Sequence, residues 1–156
     1  MTLTIYTIGH GRHPFEVFLS LLKQHGVELV CDVRSVARSR WPQFNEKVLS
    51  AALLKNGIGY EHLPECGGKV VVSQEELARG LDRIIELAGD ARIALMCSES
   101  QPLTRHARPQ ANCHRVGLLA PPLKRRGAHI IHILPDGETL ELDEKEIPSV
   151  WNGNAI

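Results

Sequence analysis

The stretch LTIYTIGHGRHPF at residues 3–15 decides the fold. Its first six residues are mostly β-branched or aromatic and predict a β-strand, which the glycines at positions 9 and 11 end. Pro14 suits the first position of a helix, because that position needs no backbone donor. Apolar side chains then recur at helical spacing up to Gly26. A strand, a tight turn and a helix therefore follow one another directly.

The same strand-and-helix unit recurs along the chain. Further apolar runs predict strands at residues 27–33, 58–63, 91–97 and 128–134. Strands that alternate with helices of about a dozen residues form βαβ units, which favour a mostly parallel sheet with helices on both faces. We therefore predict an α/β fold, with one three-layer domain over residues 1–156 and a five-stranded sheet. A short sixth strand is expected at Thr139–Leu142, after a turn at Asp136–Gly137.

Local signals also mark the helix ends. Asn45 is expected to cap the second helix, and the Ser-x-x-Glu capping box at Ser73 is expected to open the third. A fourth helix is predicted over residues 113–126. Two prolines follow Ala120 in this helix, so we expect a kink or a break near that residue.

Composition excludes several classes of protein. The chain has 156 residues, of which 43% are hydrophobic and 23% charged, so it is neither disordered nor fibrous. Its apolar runs are far shorter than the roughly 18 residues of a membrane helix, and its first residues lack the pattern of a signal peptide. Four cysteines without an export signal are expected to be reduced thiols. We therefore expect a cytoplasmic protein that has no membrane association.

Charge is segregated along the chain, although the formal net charge is zero. Residues 136–156 hold six acidic side chains and one basic one, which makes an acidic C-terminal tail from about residue 136. Residues 1–135 carry the compensating positive charge, and residues 100–126 contain basic side chains but no acidic one. The basic body of the chain is suited to anionic partners.

Chemically capable side chains follow the predicted strands. Gly9-His10-Gly11-Arg12 follows the first strand, Asp32-Val33-Arg34 ends the second, and Cys97-Ser98-Glu99 ends the fourth. The triplet Cys113-His114-Arg115 begins the helix after that strand. In open parallel sheets the ligand crevice lies beyond the carboxyl ends of the strands, so we expect these residues at one edge of the sheet.

The same residues resemble a known family. Thr7-Ile8-Gly9-His10, the strand end Leu29–Ser35, Gly57–Tyr60, Gly67–Gly68 and the Cys113–Arg115 triplet are similar, in order, to the domain of unknown function 488 family. The resemblance spans residues 4 to about 137 and implies an α/β domain, but no activity. The recurring polar positions of the family correspond here to His10, Asp32, Arg34, Ser39, Arg40, Cys97, Glu99, Cys113, His114 and Arg115.

The chain departs from the family pattern at several positions. Gly11 stands where serine or threonine is usual, Ala37 where proline is common, and Cys66 where leucine is common. The loop between Glu99 and Cys113 is also longer than usual. A role for a hydroxyl group at position 11 is therefore not carried over.

The glycine turn at residues 9–12 has two interpretations. Backbone amides at the start of a helix favour an anion, so Gly9 and Gly11 are candidate ligand-binding residues. Alternatively, a tight turn needs glycine for backbone reasons alone. A dinucleotide site is not predicted, because Pro14 replaces the third glycine of the G-x-G-x-x-G fingerprint. No cofactor is expected.

Asp32 and Arg34 are expected on the same face of the second strand, since side chains alternate along it. They form either an ion pair or, with Asp32 as orienting group, part of an acid–base site that includes His10 or His114.

The loop after Arg34 is rich in arginine. Arg34, Arg38 and Arg40, together with Ser39, are candidate phosphate ligands, and Trp41 could stack on a nucleic-acid base. Equally, Trp41 could anchor the loop on the core.

Cys97 ends a predicted buried strand, a layout similar to that of rhodanese-like sulfurtransferases. Such enzymes hold their thiolate in an amide-rich loop that a basic residue closes, but residue 103 is leucine and Glu99 lies two residues from the sulfur. Thiol chemistry at Cys97 is thus an alternative to the role of a small buried residue. No metal site is predicted, because the cysteines and histidines lack the spacing of metal-binding motifs.

The Cys113–Arg115 triplet also has two interpretations. At a helix start, free amides with Arg115 would clamp an anion, and His10 and Glu99 are expected opposite it as acid and base. Alternatively, the triplet forms a capping network in which Arg115 pairs with Glu99 or Asp32.

These observations predict an anionic, phosphate-bearing ligand, either a small molecule or a nucleotide, at the carboxyl edge of the sheet. For an enzyme, His10, Asp32, Glu99 and His114 are the candidate acid–base residues, with hydrolysis or group transfer as the reaction class. The alternative is a nucleic-acid-binding module without catalysis. Neither the oligomeric state nor the choice between enzyme and binding module follows from the sequence.

Overall fold

The computed structural model describes residues 3–70, 72–104, 110–111 and 114–142. These residues contain the strands β1 (Leu3–Gly9), β2 (Leu29–Asp32), β3 (Gly59–His62), β4 (Ile93–Cys97), β5 (Leu103–Thr104), β6 (Gln110–Ala111), β7 (Ala128–Ile133) and β8 (Thr139–Leu140). The α-helices are α1 (Phe15–Gln24), α2 (Glu46–Lys55), α3 (Gln74–Asp90) and α4 (Ala120–Arg125). A π-helical turn, Arg115–Leu119, directly precedes α4, and 3-10 turns lie at Pro42–Phe44 and Pro64–Cys66.

Six of the strands form one sheet in the order β3-β2-β4-β1-β7-β8. The first five are parallel, whereas β8 pairs antiparallel with β7. The predicted α/β fold with a mostly parallel sheet is therefore confirmed, and so is the short sixth strand. A separate antiparallel pair, β5 and β6, was not expected, because strands of two residues are too short to show a period in the sequence.

Helices cover both faces of the sheet. Helices α1 and α2 pack against one face, where Phe18, Leu22 and Leu53 are fully buried. Helices α3 and α4 pack against the other face, where Ile84 and Leu123 are fully buried. The predicted three-layer arrangement follows from these two apolar contacts. No helix in the described part of the chain is both long and apolar enough to cross a membrane.

The two predicted helix caps differ in outcome. The Ser73 hydroxyl accepts a hydrogen bond from the Glu76 backbone N–H at 3.1 Å, so the predicted cap of α3 by Ser73 is confirmed. Asn45 occupies the N-cap position of α2, but its side chain does not cap the helix. Its Oδ1 instead accepts a hydrogen bond from the Ser39 backbone N–H at 2.7 Å, across the loop that precedes the helix.

The predicted break near Ala120 is a change of helix type. The π-helical turn ends at Leu119 and α4 begins at Ala120. The two prolines that follow lack the N–H groups that would continue a regular i to i−4 ladder through this point. Cys113, the predicted first residue of this helix, lies outside the described residues.

Candidate functional site

The predicted polar residues are divided between the two faces of the sheet. Cys31 and Val33 pack in the core beneath α3 and α4, so Asp32 between them faces α1 and α2. Cys97 belongs to the α3 and α4 side. The single cluster expected at the carboxyl edge is therefore two clusters. We name them the Asp32 cluster (His10, Asp32, Arg34 and Tyr60) and the Arg115 cluster (Thr7, Cys97, Arg115 and His132).

The Asp32 cluster is built on a buried ion pair. Arg34 donates from Nε to Asp32 Oδ1 at 2.8 Å and from Nη2 to Oδ2 at 2.6 Å. The Arg34 backbone N–H donates to Oδ1 at 3.1 Å, and the Tyr60 hydroxyl donates to Oδ2. Burial, with this hydrogen bond to Asp32, raises the pKa of the Tyr60 phenol. Both oxygens of Asp32 thus have partners, and these are Arg34 and Tyr60 rather than a histidine.

His10 lies beside this pair with its ring stacked on Phe44, at 4.3 Å between ring centroids. Burial lowers the pKa of His10 to about 4, so the ring is neutral at pH 7. Its Nδ1 lies 2.7 Å from the Gly11 carbonyl oxygen. A carbonyl only accepts, so Nδ1 carries the proton and Nε2 keeps a lone pair. In the described part of the chain, Nε2 is buried without a hydrogen-bond partner.

The glycine turn after β1 is closed against the loop after β4. The backbone N–H groups of His10 and Gly11 donate to the carbonyls of Cys97 and Ser98, each at 2.9 Å. A Cβ atom at Gly9 would overlap the carbonyl oxygen of Glu99. The chain leaves β1 toward one face of the sheet and leaves β4 toward the other. In such sheets a ligand crevice commonly opens between two neighbouring strands of this kind. Here the two backbone bonds join the loops, and these amides serve that contact.

The Arg115 cluster lies on the other face. The fully buried Arg115 donates from Nη1 to the Thr7 hydroxyl at 3.1 Å, and from Nη2 to the carbonyls of Glu99 at 3.1 Å and Ser100 at 3.3 Å. The same Thr7 hydroxyl lies 2.6 Å from Nδ1 of His132. Burial, together with the charges of Arg115 and Lys124, lowers the pKa of His132 to about 3. Thr7 and His132 are not among the predicted site residues, because each lies within a predicted strand and nothing in the sequence distinguishes it from the other residues of that strand.

Cys97 and Arg115 share an acceptor. The Cys97 thiol donates to the Glu99 carbonyl at 3.6 Å, and this oxygen also accepts from Arg115. A basic group therefore does lie near the sulfur, although the sequence around Cys97 does not supply it. The Glu99 side chain is exposed, and its Oε1 accepts from the Gln101 backbone N–H at 3.0 Å. Arg115 thus reaches Glu99 through the main chain.

His114 is tied to the end of β2. Its Nε2 lies 2.8 Å from the Val33 carbonyl oxygen, and burial lowers its pKa. Close packing of Gly68 on the His114 ring leaves no room for a Cβ at residue 68. Both predicted catalytic histidines, His10 and His114, therefore have main-chain carbonyls as partners. Their catalytic roles stay predictions. Cys113, the predicted neighbour of His114 in ligand binding, lies outside the described residues.

The arginine-rich loop is anchored on the core. Trp41 packs against the apolar cluster beneath α1 and α2. The exposed Arg40 guanidinium lies over the Trp41 ring, 5.6 Å from its centroid. The Ser39 hydroxyl accepts from the Trp41 backbone N–H at 3.0 Å. These contacts agree with the anchoring interpretation of Trp41.

A cleft of about 490 Å³ opens beyond the carboxyl ends of β2 and β3. It is lined by Ser35, Val36, Ala37, Arg38, Asn45, Glu46, Lys47 and His62. Of these, Arg38 is one of the arginines that the sequence marks as suited to phosphate, whereas the other seven were not predicted as site residues, although several adjoin predicted residues in sequence. The signal that marks them is position: residues 35–38 follow β2, and His62 ends β3 directly beside Asp32 in the sheet register.

His62 links the end of β2 to the start of α2. Its Nε2 lies 2.7 Å from the Arg34 carbonyl oxygen, and its Nδ1 lies 3.3 Å from Oε2 of Glu46. The cleft is thereby joined to the Asp32 cluster through Arg34. Among the described residues, no group of three or more histidine, cysteine, aspartate or glutamate side chains could hold a metal ion.

Comparison with known proteins gives one match. Residues 14–75 match the model of the family described as Domain of unknown function DUF488. No curated protein and no solved structure matches the chain. The matched range contains the whole lining of the cleft and the Asp32–Arg34 pair. Residues 14–75 are therefore similar to the DUF488 family, and this match supports the resemblance that the motifs indicated.

Proposed function

We propose that the protein binds a phosphate-bearing ligand, a small molecule or a nucleotide, in the cleft beyond β2 and β3. The observation that carries this proposal is the lining of the cleft, where Arg38 and Lys47 are exposed cations and His62 is a third basic side chain. Guanidinium and ammonium groups are common protein partners of phosphate. A volume of about 490 Å³ lies in the range of small-molecule sites.

The buried Arg34 residue holds parts of the cleft wall in place. Its Nη1 donates to the carbonyls of Phe44 at 2.7 Å and Arg38 at 3.4 Å, and so links the loop after β2 to the segment before α2. The Arg34 carbonyl holds His62. One residue thus ties together three parts of the cleft wall. A wall that is fixed before binding costs less ordering entropy when a ligand arrives.

The start of α2 adds to the positive potential of the cleft. Asn45, Glu46 and Lys47 line it, so the first turn of the helix forms part of its wall. The N-terminus of a helix carries a partial positive charge. Because the Asn45 side chain bonds to Ser39, it does not cap these amides.

The proposal concerns binding and assigns no catalytic step. His10, the predicted proton-transfer group, stacks on Phe44 and is not among the residues that line the cleft. Hydrolysis or group transfer would need a proton acceptor that reaches the bound ligand.

The test is a nuclear magnetic resonance titration of the isotopically labelled protein with inorganic phosphate and with adenosine monophosphate. We expect shifts at residues 35–38, 45–47 and 62, with affinity that falls as salt rises. Arg38→Gln and Lys47→Gln should each weaken binding about two- to fivefold, as expected for one exposed charge. Lys55→Gln is the matched control, because Lys55 is exposed at the opposite end of the same helix.

Three outcomes would contradict the proposal. The first is the absence of shifts at the cleft with either compound. The second is an equal loss of affinity in Lys55→Gln and Lys47→Gln, which would show a diffuse charge effect. The third is tight binding of a single-stranded oligonucleotide that Arg40→Gln abolishes, which would favour the nucleic-acid-binding alternative.

A further inference from the structure

We infer that the Glu46 carboxylate is an internal competitor for the phosphate group and therefore sets the affinity of the cleft. The inference rests on the proposed function and names one residue that limits it. Glu46 is an acidic side chain that lines the cleft together with Arg38, Lys47 and His62. Its carboxylate lies beside the basic side chain of His62, where the phosphate group of a ligand would otherwise lie.

The contacts of His62 define that position. The Arg34 carbonyl, 2.7 Å from Nε2, requires a proton on this nitrogen. In a neutral ring, Nδ1 would then present a lone pair to the Glu46 carboxylate, 3.3 Å away. Only the protonated ring donates at both nitrogens. The Glu46 carboxylate therefore lies where an acceptor for a second ring proton would lie, which is a position that a bound anion could also take.

The two partners differ in how firmly they are held. His62 is fixed by the Arg34 carbonyl, and its side chain is 21% exposed. The Glu46 side chain is 48% exposed and lies on the first turn of α2, where water can solvate the carboxylate when it leaves His62. Exposed ion pairs contribute little free energy, so an incoming anion displaces this carboxylate at small cost. A phosphate oxygen then takes the place of the carboxylate beside Nδ1 of His62.

A matched control is available for the charge of Glu46. Glu16 is the acidic residue in the first turn of α1, a helix of the same length as α2, and it is exposed. It does not line the cleft. Glu46→Gln and Glu16→Gln therefore remove the same charge from the first turn of a helix, and both lose a similar favourable interaction with the helix dipole. Only Glu46→Gln removes the carboxylate that lies beside His62.

The experiment measures the dissociation constant of inorganic phosphate by resonance titration for the wild type, E46Q, E16Q, H62Q and E46Q/H62Q. Glutamine at position 62 keeps an N–H group for the Arg34 carbonyl. E46Q should bind phosphate about threefold more tightly than the wild type, E16Q should match the wild type, and the gain from E46Q should vanish in the H62Q background. In the wild type, phosphate should also shift the Nδ1 resonance of His62, a readout that does not depend on the folding of any variant.

Each other outcome has a distinct meaning. Phosphate binding by the wild type with no gain in E46Q overturns the inference and leaves the proposed function standing. An equal gain in E16Q, or a gain that persists without His62, also overturns it, because the effect would then be general repulsion. An absence of phosphate binding in both the wild type and E46Q overturns the proposed function together with the inference.

Discussion

Arg34 holds the carboxylate of Asp32 through two parallel hydrogen bonds, Nε to Oδ1 at 2.8 Å and Nη2 to Oδ2 at 2.6 Å. Asp32 is fully buried and Arg34 is 5% exposed. A buried ion pair need not stabilise a protein relative to apolar residues, but removal of one partner leaves an uncompensated charge. Because the Arg34 backbone and side chain also support the cleft, loss of Asp32 should affect both stability and ligand binding.

Asp32→Asn should lower the free energy of unfolding by roughly 3–5 kcal/mol, since it leaves the Arg34 guanidinium buried without its anion. Urea denaturation measures this loss. The control is Glu61→Gln, which breaks the far more exposed pair of Glu61 with Arg83 and should cost much less. An equal loss in the two variants would mean that burial of the Asp32–Arg34 pair has no energetic consequence.

The contact between the loops after β1 and β4 gives a second prediction. Gly9→Ala places a methyl group on the Glu99 carbonyl, a backbone atom that cannot move without opening the two hydrogen bonds beside it. We expect a loss of at least about 2 kcal/mol in the free energy of unfolding.

Gly89→Ala is the matched substitution. Gly89 lies inside α3, and a Cβ there meets no atom within 4 Å. Alanine should therefore stabilise the helix by up to about 1 kcal/mol. Thermal unfolding compares the two variants. A Gly9→Ala protein as stable as the wild type would contradict the close approach of the two loops.

The strands, most helices and the Ser73 cap could be predicted because their signals are local. Ser73 and Glu76 satisfy each other within one helical turn, so the sequence contains the whole interaction. Asn45 shows the limit of this approach. The sequence predicts its place at the start of α2 correctly, but its side chain bonds to Ser39 in the preceding loop, and this contact depends on how that loop folds back.

The site was harder to predict than the fold. Its geometry depends on which face of the sheet each side chain occupies and on the register between neighbouring strands. Strand ends indicate the edge at which a polar residue lies, but Asp32 and Cys97 share that edge on opposite faces. His62 was missed because β3 is short and only half-buried. Its place beside Asp32 is a property of the β2–β3 register, which no local pattern contains.

The two buried histidines give a pH-dependent prediction. The pKa of His10 is about 4 in the folded protein and that of His132 about 3, against 6.5 in an unfolded chain. Below pH 6.5 the unfolded chain binds protons that the folded protein does not, so stability should fall as the pH decreases toward 4. His10 alone accounts for roughly 3 kcal/mol of this loss.

Urea denaturation between pH 7 and pH 4 tests the sign and size of the effect. His10→Asn keeps an N–H donor for the Gly11 carbonyl but does not titrate. Its stability should therefore fall less steeply with decreasing pH than that of the wild type. The same slope in both proteins would show that His10 is not held in its neutral form.

The Thr7 hydroxyl links the guanidinium of Arg115 to the ring of His132 in the buried Arg115 cluster. Thr7→Val has nearly the same shape but removes both hydrogen bonds, so it should lower the free energy of unfolding by roughly 2–3 kcal/mol, the cost of buried polar groups that lose a partner. Thr4→Val is the control, because Thr4 is exposed on the same strand, where valine is favoured. If Thr7→Val and Thr4→Val unfold at the same urea concentration, the hydroxyl bridge contributes nothing to the stability of the sheet edge.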